Sequence, residues 1–478
     1  MNLKQKTING VIWSAIERFS NQIIQFLVQI IIARLLFPSD YGMIGMLAIF
    51  MAVAQTFTDG GFGNALIQKK DRNNTDYSTV FYFNITTGII LSIIFFFSSG
   101  LIANFYKMPK LELIIQVMSI NLIILSFQVV HKAILTINID FKTQAKASLS
   151  SVIIAGIIGI TMAYTGFGVW ALVAQFTAIN IIQTILLWYF EKWRPIRVFS
   201  KQSFKRLFNF GSKILAANLL HTIYLNLYTL VIGKRFSATD LGYYSRADQF
   251  AQFPSSNITG ILWRVTYPIM SSIQNEDETL KNVYRQYIRL SAFIVFPLMI
   301  GLAAIAEPFI IFILTEKWRG VIPILQIISI CYMFYPLNAI NQNLMQVKGR
   351  SDLFLRLEIV KKIIGIALLF ISLPFGMYYV CLSLVVYALI NLAINTYFTS
   401  KLINFNILQQ IKDLIRILFA ALAMGIVVYL INYIEISYIL KLILGVIIGA
   451  LVYTFIAWIT KMSELKQVTN LIRPYIHK

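Results

Sequence analysis

Apolar runs long enough to cross a bilayer recur fourteen times along the chain, at about 9–33, 41–66, 78–105, 111–135, 147–165, 167–190, 209–233, 241–273, 287–314, 320–346, 355–373, 375–399, 414–433 and 438–460. About 20 predominantly apolar residues cross the hydrocarbon core as a helix. The pattern therefore predicts an all-α polytopic membrane protein with 14 transmembrane helices and both termini on one side. The eighth run, 241–273, breaks the apolar pattern with Arg246, Asp248, Gln249, Gln252, Ser255, Ser256, Asn257 and Arg264. On a helix Arg246, Gln249, Asn257, Gly260 and Arg264 share one face, since about 18 residues make five turns. An ionised side chain at the bilayer centre costs about 2.5–3.5 kcal/mol on insertion scales, so that face is expected to meet water or protein. Pro254 interrupts the run midway and is expected to kink it.

The pattern is duplicated. Ile32, Arg34, Asp40 and Gly42 have counterparts 200 residues on at Ile232, Lys234, Asp240 and Gly242, and Phe50 and Gly60 at Phe250 and Gly260. Later the offset becomes 208, where Phe167-Gly168 meets Phe375-Gly376. Order, spacing and hydropathy match over too long a stretch for chance. Six helices per copy make the repeats parallel, related by an axis along the membrane normal, with the substrate site expected between them. The division read from this is 1–200, 201–405, and an appendix of helices 13 and 14 with a tail at 406–478.

Composition agrees with a membrane solvent: 58% of the 478 residues are hydrophobic and mean hydropathy is +0.73. A net charge of +21 would suggest nucleic acid in a soluble protein. Here it marks orientation. With the N-terminus inside, 29 Lys and Arg fall in the cytoplasmic segments 4–6, 69–72, 132–146, 192–206, 281–289, 348–362, 401–416 and 461–478. Only eight, Arg34, Lys107, Lys110, Lys234, Arg235, Lys317, Arg319 and Lys441, fall outside. That bias places both termini in the cytoplasm, and no nucleic-acid partner is expected. The N-terminus shows no small-residue cleavage site after an apolar core. Cys331 and Cys381 lie in apolar runs and imply no disulfide framework, and three His give no metal cluster. No phosphate-cradling loop and no outer loop able to carry an active site is present, so neither an enzyme nor a cofactor is expected.

The candidate site residues lie on polar stripes. The first run carries Ser14, Arg18, Asn21, Gln22, Gln25 and Gln29 at spacings of three and four, and the seventh, at equivalent positions, Asn218, His221, Thr222 and Thr229. In a parallel repeat these faces are expected to line a central cleft. The uncharged residues fit either lining or interhelical bonding. Arg18, Arg246 and Arg264 favour lining, because each needs water or a counter-charge, and Glu17 and Asp248 are at hand. Asp59 in TDGGFG reads either as part of a glycine-rich helix stop at the inner interface or as an ion-coupling carboxylate. His221 reads as a satisfied bundle residue or a proton carrier. Glu307 and Glu358 are weaker carboxylate candidates.

The opening INGVIWSAIERFSNQIIQFLVQIIIARLLFPSDYGMIGM, the run TDGGFGNALIQKKD followed by DYSTVFYFN, and IDFKTQAKASL resemble the Wzx-type flippases of the multidrug/oligosaccharidyl-lipid/polysaccharide exporter superfamily, on its colanic-acid and teichuronic-acid exporter branch. The resemblance covers the whole chain and is most specific over 8–200. It implies a V-shaped pair of six-helix lobes in the bacterial inner membrane. It also implies movement of undecaprenyl-diphosphate-linked oligosaccharide from the cytoplasmic to the periplasmic leaflet, by alternating access coupled to protons or sodium. Under it Arg18, Arg246 and Arg264 would hold the diphosphate, and Asn21, Gln22, Gln25, Asn218 and Gln249 would meet sugar hydroxyls. Glu17, Asp59, His221 and Asp248 would be the ion-coupling candidates. The implied partners are the lipid-linked oligosaccharide and polymerase or chain-length proteins, with the chain itself a monomer. Two other readings remain: a drug antiporter of the same superfamily, which would favour acidic cavities, and a non-transporting scaffold, for which buried arginines would be an unexplained cost.

Overall fold

The computed structural model describes residues 3–476, and no strand occurs among them. The chain falls into two compact units, Met1–Gly242 and Tyr243–Lys478. The first holds α1 (Leu3–Leu35), α2 (Pro38–Asp59), α3 (Phe62–Gln68), α4 (Asn74–Tyr106), α5 (Lys110–Ser126), α6 (Val129–Ile137), α7 (Phe141–Tyr164), α8 (Val169–Phe190) and α9 (Lys201–Arg235). Then α10 (Ala238–Ser272) begins in the first unit and continues into the second. The second unit adds α11 (Asp277–Ala304), α12 (Ala306–Leu314), α13 (Val321–Met333), α14 (Tyr335–Val347), α15 (Ser351–Ser372), α16 (Met377–Ile403), α17 (Ile407–Leu430), α18 (Tyr438–Ile459) and α19 (Ser463–Ile476).

Eleven of the described spans are long and apolar enough to cross a membrane. Several break midway: α2 with α3, α5 with α6, and α13 with α14 each make one crossing. The three remaining expected runs form helices of ample length, α1 with 33 residues, α10 with 35 and α15 with 22, but they are too polar to meet the same standard. Their polarity is the stripe residues themselves, with Arg356, Glu358, Lys361 and Lys362 on α15. On α4, by contrast, Ile93, Phe97 and Leu101 are exposed, as a lipid solvent allows.

The residues duplicated 200 apart have physical work at helix starts. Asp40 accepts from the Phe37 backbone N–H at 3.0 Å, and Asp240 from that of Ser237 at 3.2 Å, so both cap the N-terminus of the helix that follows. A Cβ on Gly42 would sit 1.7 Å from the carbonyl oxygen of Ala238, and one on Gly242 1.9 Å from that of Pro38. The starts of α2 and α10 therefore cross backbone to backbone through two glycines. The breaks also correspond: α5/α6 and α13/α14 occupy the same place in each half of the chain.

Helix α9 packs on α2, α3 and α4 and belongs to the first unit. The packing boundary after Gly242 therefore differs from the division after residue 200 that the repeated motif leads one to expect. The first unit's core includes Phe62, Leu66, Val80, Phe81 and Leu207; the second is built on Tyr284, Phe296, Leu344, Phe405 and Met424.

Several expectations need correction. Gly60 and Gly61 (φ 55° and 70°) do end α2, with Gly60 as its left-handed cap, but the apolar span is longer than expected, because α3 continues it for seven residues. A Cβ on Gly61 would meet the Gly211 carbonyl oxygen at 2.5 Å, so the break also lets α9 approach. Pro254, where a kink is expected, lies inside α10, and the helix continues on both sides of it. Lys132 and Lys361, counted with the cytoplasmic segments, lie in helices; Lys132 is inside a crossing and Lys361 is 3% exposed. Among the other basic residues, Arg285 pairs with Asp413, Arg289 with Glu464, and Lys348 with Asp277 at 2.6 Å. Arg350 bonds Asp352 at 3.0 Å. The side chains of Lys4, Lys6 and Arg473, and all of Lys478, lie outside the described set.

Candidate functional site

The stripe on α1 divides between two jobs. Asn21 donates to Ser148 Oγ at 2.6 Å, tying α1 to α7, and Gln29 donates to Gln175 Oε1 at 3.2 Å, tying it to α8. These are interhelical bonds. Gln22 is half-buried, whereas Arg18 and Gln25 are exposed. On α9, Asn218 and His221 are exposed, and Thr222 lies 3.3 Å from Thr56 across the α2–α9 contact. Interhelical bonds of this kind contribute about 0.6 kcal/mol on average. Asn21→Ala is accordingly expected to lower the melting temperature of purified protein by no more than a few degrees; a loss of about ten degrees or more would show that this bond holds α1 to α7 more strongly than a typical interhelical one.

Asp59, which sequence offered as a separate carboxylate, shares a cavity wall with Lys132, and Glu17 reaches the same lysine electrostatically. Glu17 is half-buried beside Ser148, and both carboxylates lie within electrostatic reach of Lys132. Lys132 follows the α5/α6 break and donates to Gln183 Oε1 at 3.4 Å. No carboxylate among the described residues is within the 4.0 Å of an ion pair. A cavity of about 360 Å³ opens here, lined by Gln55, Thr58, Asp59, Asn64, Gln128 and Lys132 among others. Behind it runs a polar seam. Gln128 donates to the Asn180 carbonyl (3.0 Å) and Thr184 (2.8 Å), and Asn180 donates to Asn121 (3.1 Å), which donates to Thr177 (3.0 Å). Gln128 Oε1 is buried without a partner.

In the second unit, Arg246 donates to Gln249 Oε1 at 2.6 Å, while Asp248 accepts from the Tyr332 hydroxyl at 2.9 Å. Arg264 is exposed. Below the α13/α14 break lies a second polar network. Lys361 pairs with Glu358 and donates to Asn395 (3.2 Å), and Asn395 donates to Asn338 (2.9 Å). Gln342 donates to Glu358 (3.1 Å). Asn341 Oδ1 accepts from Tyr284 (2.8 Å) and Thr399 (2.6 Å) beside a cavity of about 180 Å³ lined mostly by Leu and Ile. Among the described residues no three His, Cys, Asp or Glu side chains converge as a metal site would need.

Lys132 and Lys361 were missed because both were counted with the cytoplasmic charge, although Lys132 lies inside the Lys110–Ile137 span and Lys361 near the middle of α15. Pro336, just after the α13/α14 break, was a readable sign, because the residue before proline disfavours helix. The α5/α6 break at Phe127-Gln128 carries neither proline nor glycine and left none.

Residues 31–323 match the model of a family described as polysaccharide biosynthesis protein. The chain is 26% identical to the teichuronic acid biosynthesis protein TuaB of Bacillus subtilis, covering 95% of this chain and 96% of that one. It is 25% identical to the lipopolysaccharide biosynthesis protein WzxC of Escherichia coli, over 76% and 74% of the two chains. In fold it is similar to the lipid II flippase MurJ in an inward closed conformation, with a TM-score of 0.75, 17% identity, and coverage of 98% of this chain and all of that one.

Proposed function

The chain belongs to the polysaccharide biosynthesis protein family, and from that premise we propose that it flips undecaprenyl-diphosphate-linked oligosaccharide from the cytoplasmic to the periplasmic leaflet of the bacterial inner membrane. The Wzx-type resemblance read from its motifs agrees with its relatives, and it is a multi-pass membrane protein of that kind. In this reading α1, α10 and α15 join the eleven apolar spans to make fourteen crossings. These form two parallel six-helix repeats, with the last two crossings and the tail (406–478) appended and both termini cytoplasmic. The chain acts as a monomer and hands its cargo to polymerase and chain-length proteins. Movement is by alternating access coupled to protons or sodium, with Glu17, Asp59, His221 and Asp248 as the coupling groups.

One observation carries the reading: three helices of spanning length carry more polar and charged residues than the eleven apolar spans, and two of them bear the candidate arginines. Keeping such charges at membrane depth is costly unless they meet water or an anion. Arg18, Arg246 and Arg264 suit a diphosphate, which guanidinium groups bind bidentately. Gln22, Gln25, Asn218 and Gln249 suit sugar hydroxyls. The paired caps at Asp40 and Asp240 and the matching helix breaks support the repeat.

The test is the appearance of lipid-linked glycan on the outer leaflet of cells that depend on this protein. Arg18→Ala, Arg246→Ala and Arg264→Ala are each expected to reduce it at least tenfold while the protein stays in the membrane at its normal level. Normal translocation by all three variants would sink the arginine assignment.

A further inference from the structure

Resting on the transport reading, we propose that Lys132 is an anion-receiving group that takes a phosphate of the transported lipid inside the first unit, with Asp59 and Glu17 as counter-charges that compete with that phosphate for the ammonium.

Two lysines within the helices, Lys361 buried and Lys132 half-buried, make the case by contrast. Lys361 is closed: it is ion-paired to Glu358 and bonded to Asn395. Nothing about it calls for a ligand. Lys132 is open: its hydrogen bond is one long contact to a neutral amide, Gln183, at 3.4 Å. Asp59 and Glu17 influence it electrostatically from beyond ion-pair distance, and a cavity of about 360 Å³ adjoins it. That volume falls within the range of small-ligand sites, roughly 300–1,000 Å³. An ammonium inside a membrane crossing needs a close partner, and this one has room for a partner that is not part of the fold. The cavity wall supplies further donors in the amides of Gln55 and Asn64, which phosphate oxygens accept. A cationic ligand would instead have to displace a tethered cation from two carboxylates.

The counter-charges give the proposal a sign. Removing Lys132 should weaken phosphate binding, whereas neutralising Asp59 should strengthen it. A structural role for either residue predicts neither the strengthening nor rescue by another cation.

The experiment uses the full chain in nanodiscs of neutral phosphatidylcholine, titrated with inorganic pyrophosphate and, separately, with farnesyl diphosphate. Lys132→Gln is expected to weaken farnesyl diphosphate binding at least tenfold, Asp59→Asn to tighten it about threefold or more, and Lys132→Arg to bind within about threefold of the parent. Gel filtration of each variant establishes that it is folded. Binding of farnesyl diphosphate above that of pyrophosphate, both dependent on Lys132, supports a lipid-borne phosphate. Three results overturn the proposal: Lys132→Gln binding like the parent, Asp59→Asn binding more weakly, or Lys132-dependent binding of pyrophosphate without farnesyl diphosphate. A further arm in phosphatidylglycerol nanodiscs overturns it if bulk anionic lipid abolishes probe binding through Lys132. Unchanged binding by Lys132→Gln in a chain that still translocates glycan removes this site alone. Lys132-dependent binding in a chain that translocates nothing removes the transport reading alone.

Discussion

Replacing Gly42 with alanine is expected to remove nearly all monodisperse protein from a detergent extract. The new Cβ would stand 1.7 Å from the Ala238 carbonyl oxygen and 2.5 Å from its carbon. Both are backbone atoms near the start of α10, so no side chain can swing aside. The helices would have to separate by more than an ångström at their crossing, and the cost should exceed the roughly 1–3 kcal/mol typical of an overpacked side chain. Gly242→Ala is expected to fail in the same way, its Cβ falling 1.9 Å from the Pro38 oxygen. Small residues at helix crossings in membranes serve this close approach. Here the relation is reciprocal: position 42 meets 238 and position 242 meets 38. Such an exchange of roles is what a two-fold relation between equivalent residues produces, and it supports the duplicated arrangement more directly than motif matching. Gly260→Ala is the control. Nothing lies within 4 Å of its Cβ position, and alanine favours a helix over glycine by about 0.5–1 kcal/mol. Fluorescence-detected gel filtration of the three variants decides the matter. A Gly42→Ala profile matching the parent would mean the crossing is looser than this geometry.

The same glycines show where sequence was informative. Asp40, Gly42, Asp240 and Gly242 stood out as a motif repeated at a fixed offset, and each has a local mechanical role, a cap or a crossing. Local roles leave local signatures. The long apolar helices were legible for a similar reason, since lipid imposes length and hydropathy on every span that faces it. What could not be read is how one polar stripe divides. Asn21 and Gln29 bond neighbouring helices while Arg18 and Gln25, on the same helix, stay exposed. The choice depends on which residues of α7 and α8 lie opposite, and no periodicity within α1 contains that. Lys132 illustrates the stronger form of the problem. Its partners come from α1, α2 and α8, far apart in sequence, and the break that positions it lacks proline and glycine.

Lys361 and Glu358 are expected to show opposite single and double effects. Lys361 is buried, its side chain 4% exposed, and Glu358 is 28% exposed. Lys361→Met leaves Glu358 without its cation inside the second unit and deprives Asn395 of a donor. Removing one partner of a buried pair typically costs about 3–5 kcal/mol, whereas replacing both with groups of similar shape is often neutral. The single variant should therefore lose on the order of 10 °C in melting temperature, at about 2–4 °C per kcal/mol for a unit of this size. Lys361→Met with Glu358→Gln should recover most of that loss, because Gln342 can still bond a neutral amide at position 358, as it now bonds the carboxylate at 3.1 Å. Thermal unfolding followed by tryptophan fluorescence in one detergent measures all three proteins. Additive losses in the double variant would mean that the two charges are not held as a pair. Recovery of stability with full glycan translocation would assign this lysine to structure and leave Lys132 as the half-buried cation open to an anionic cargo.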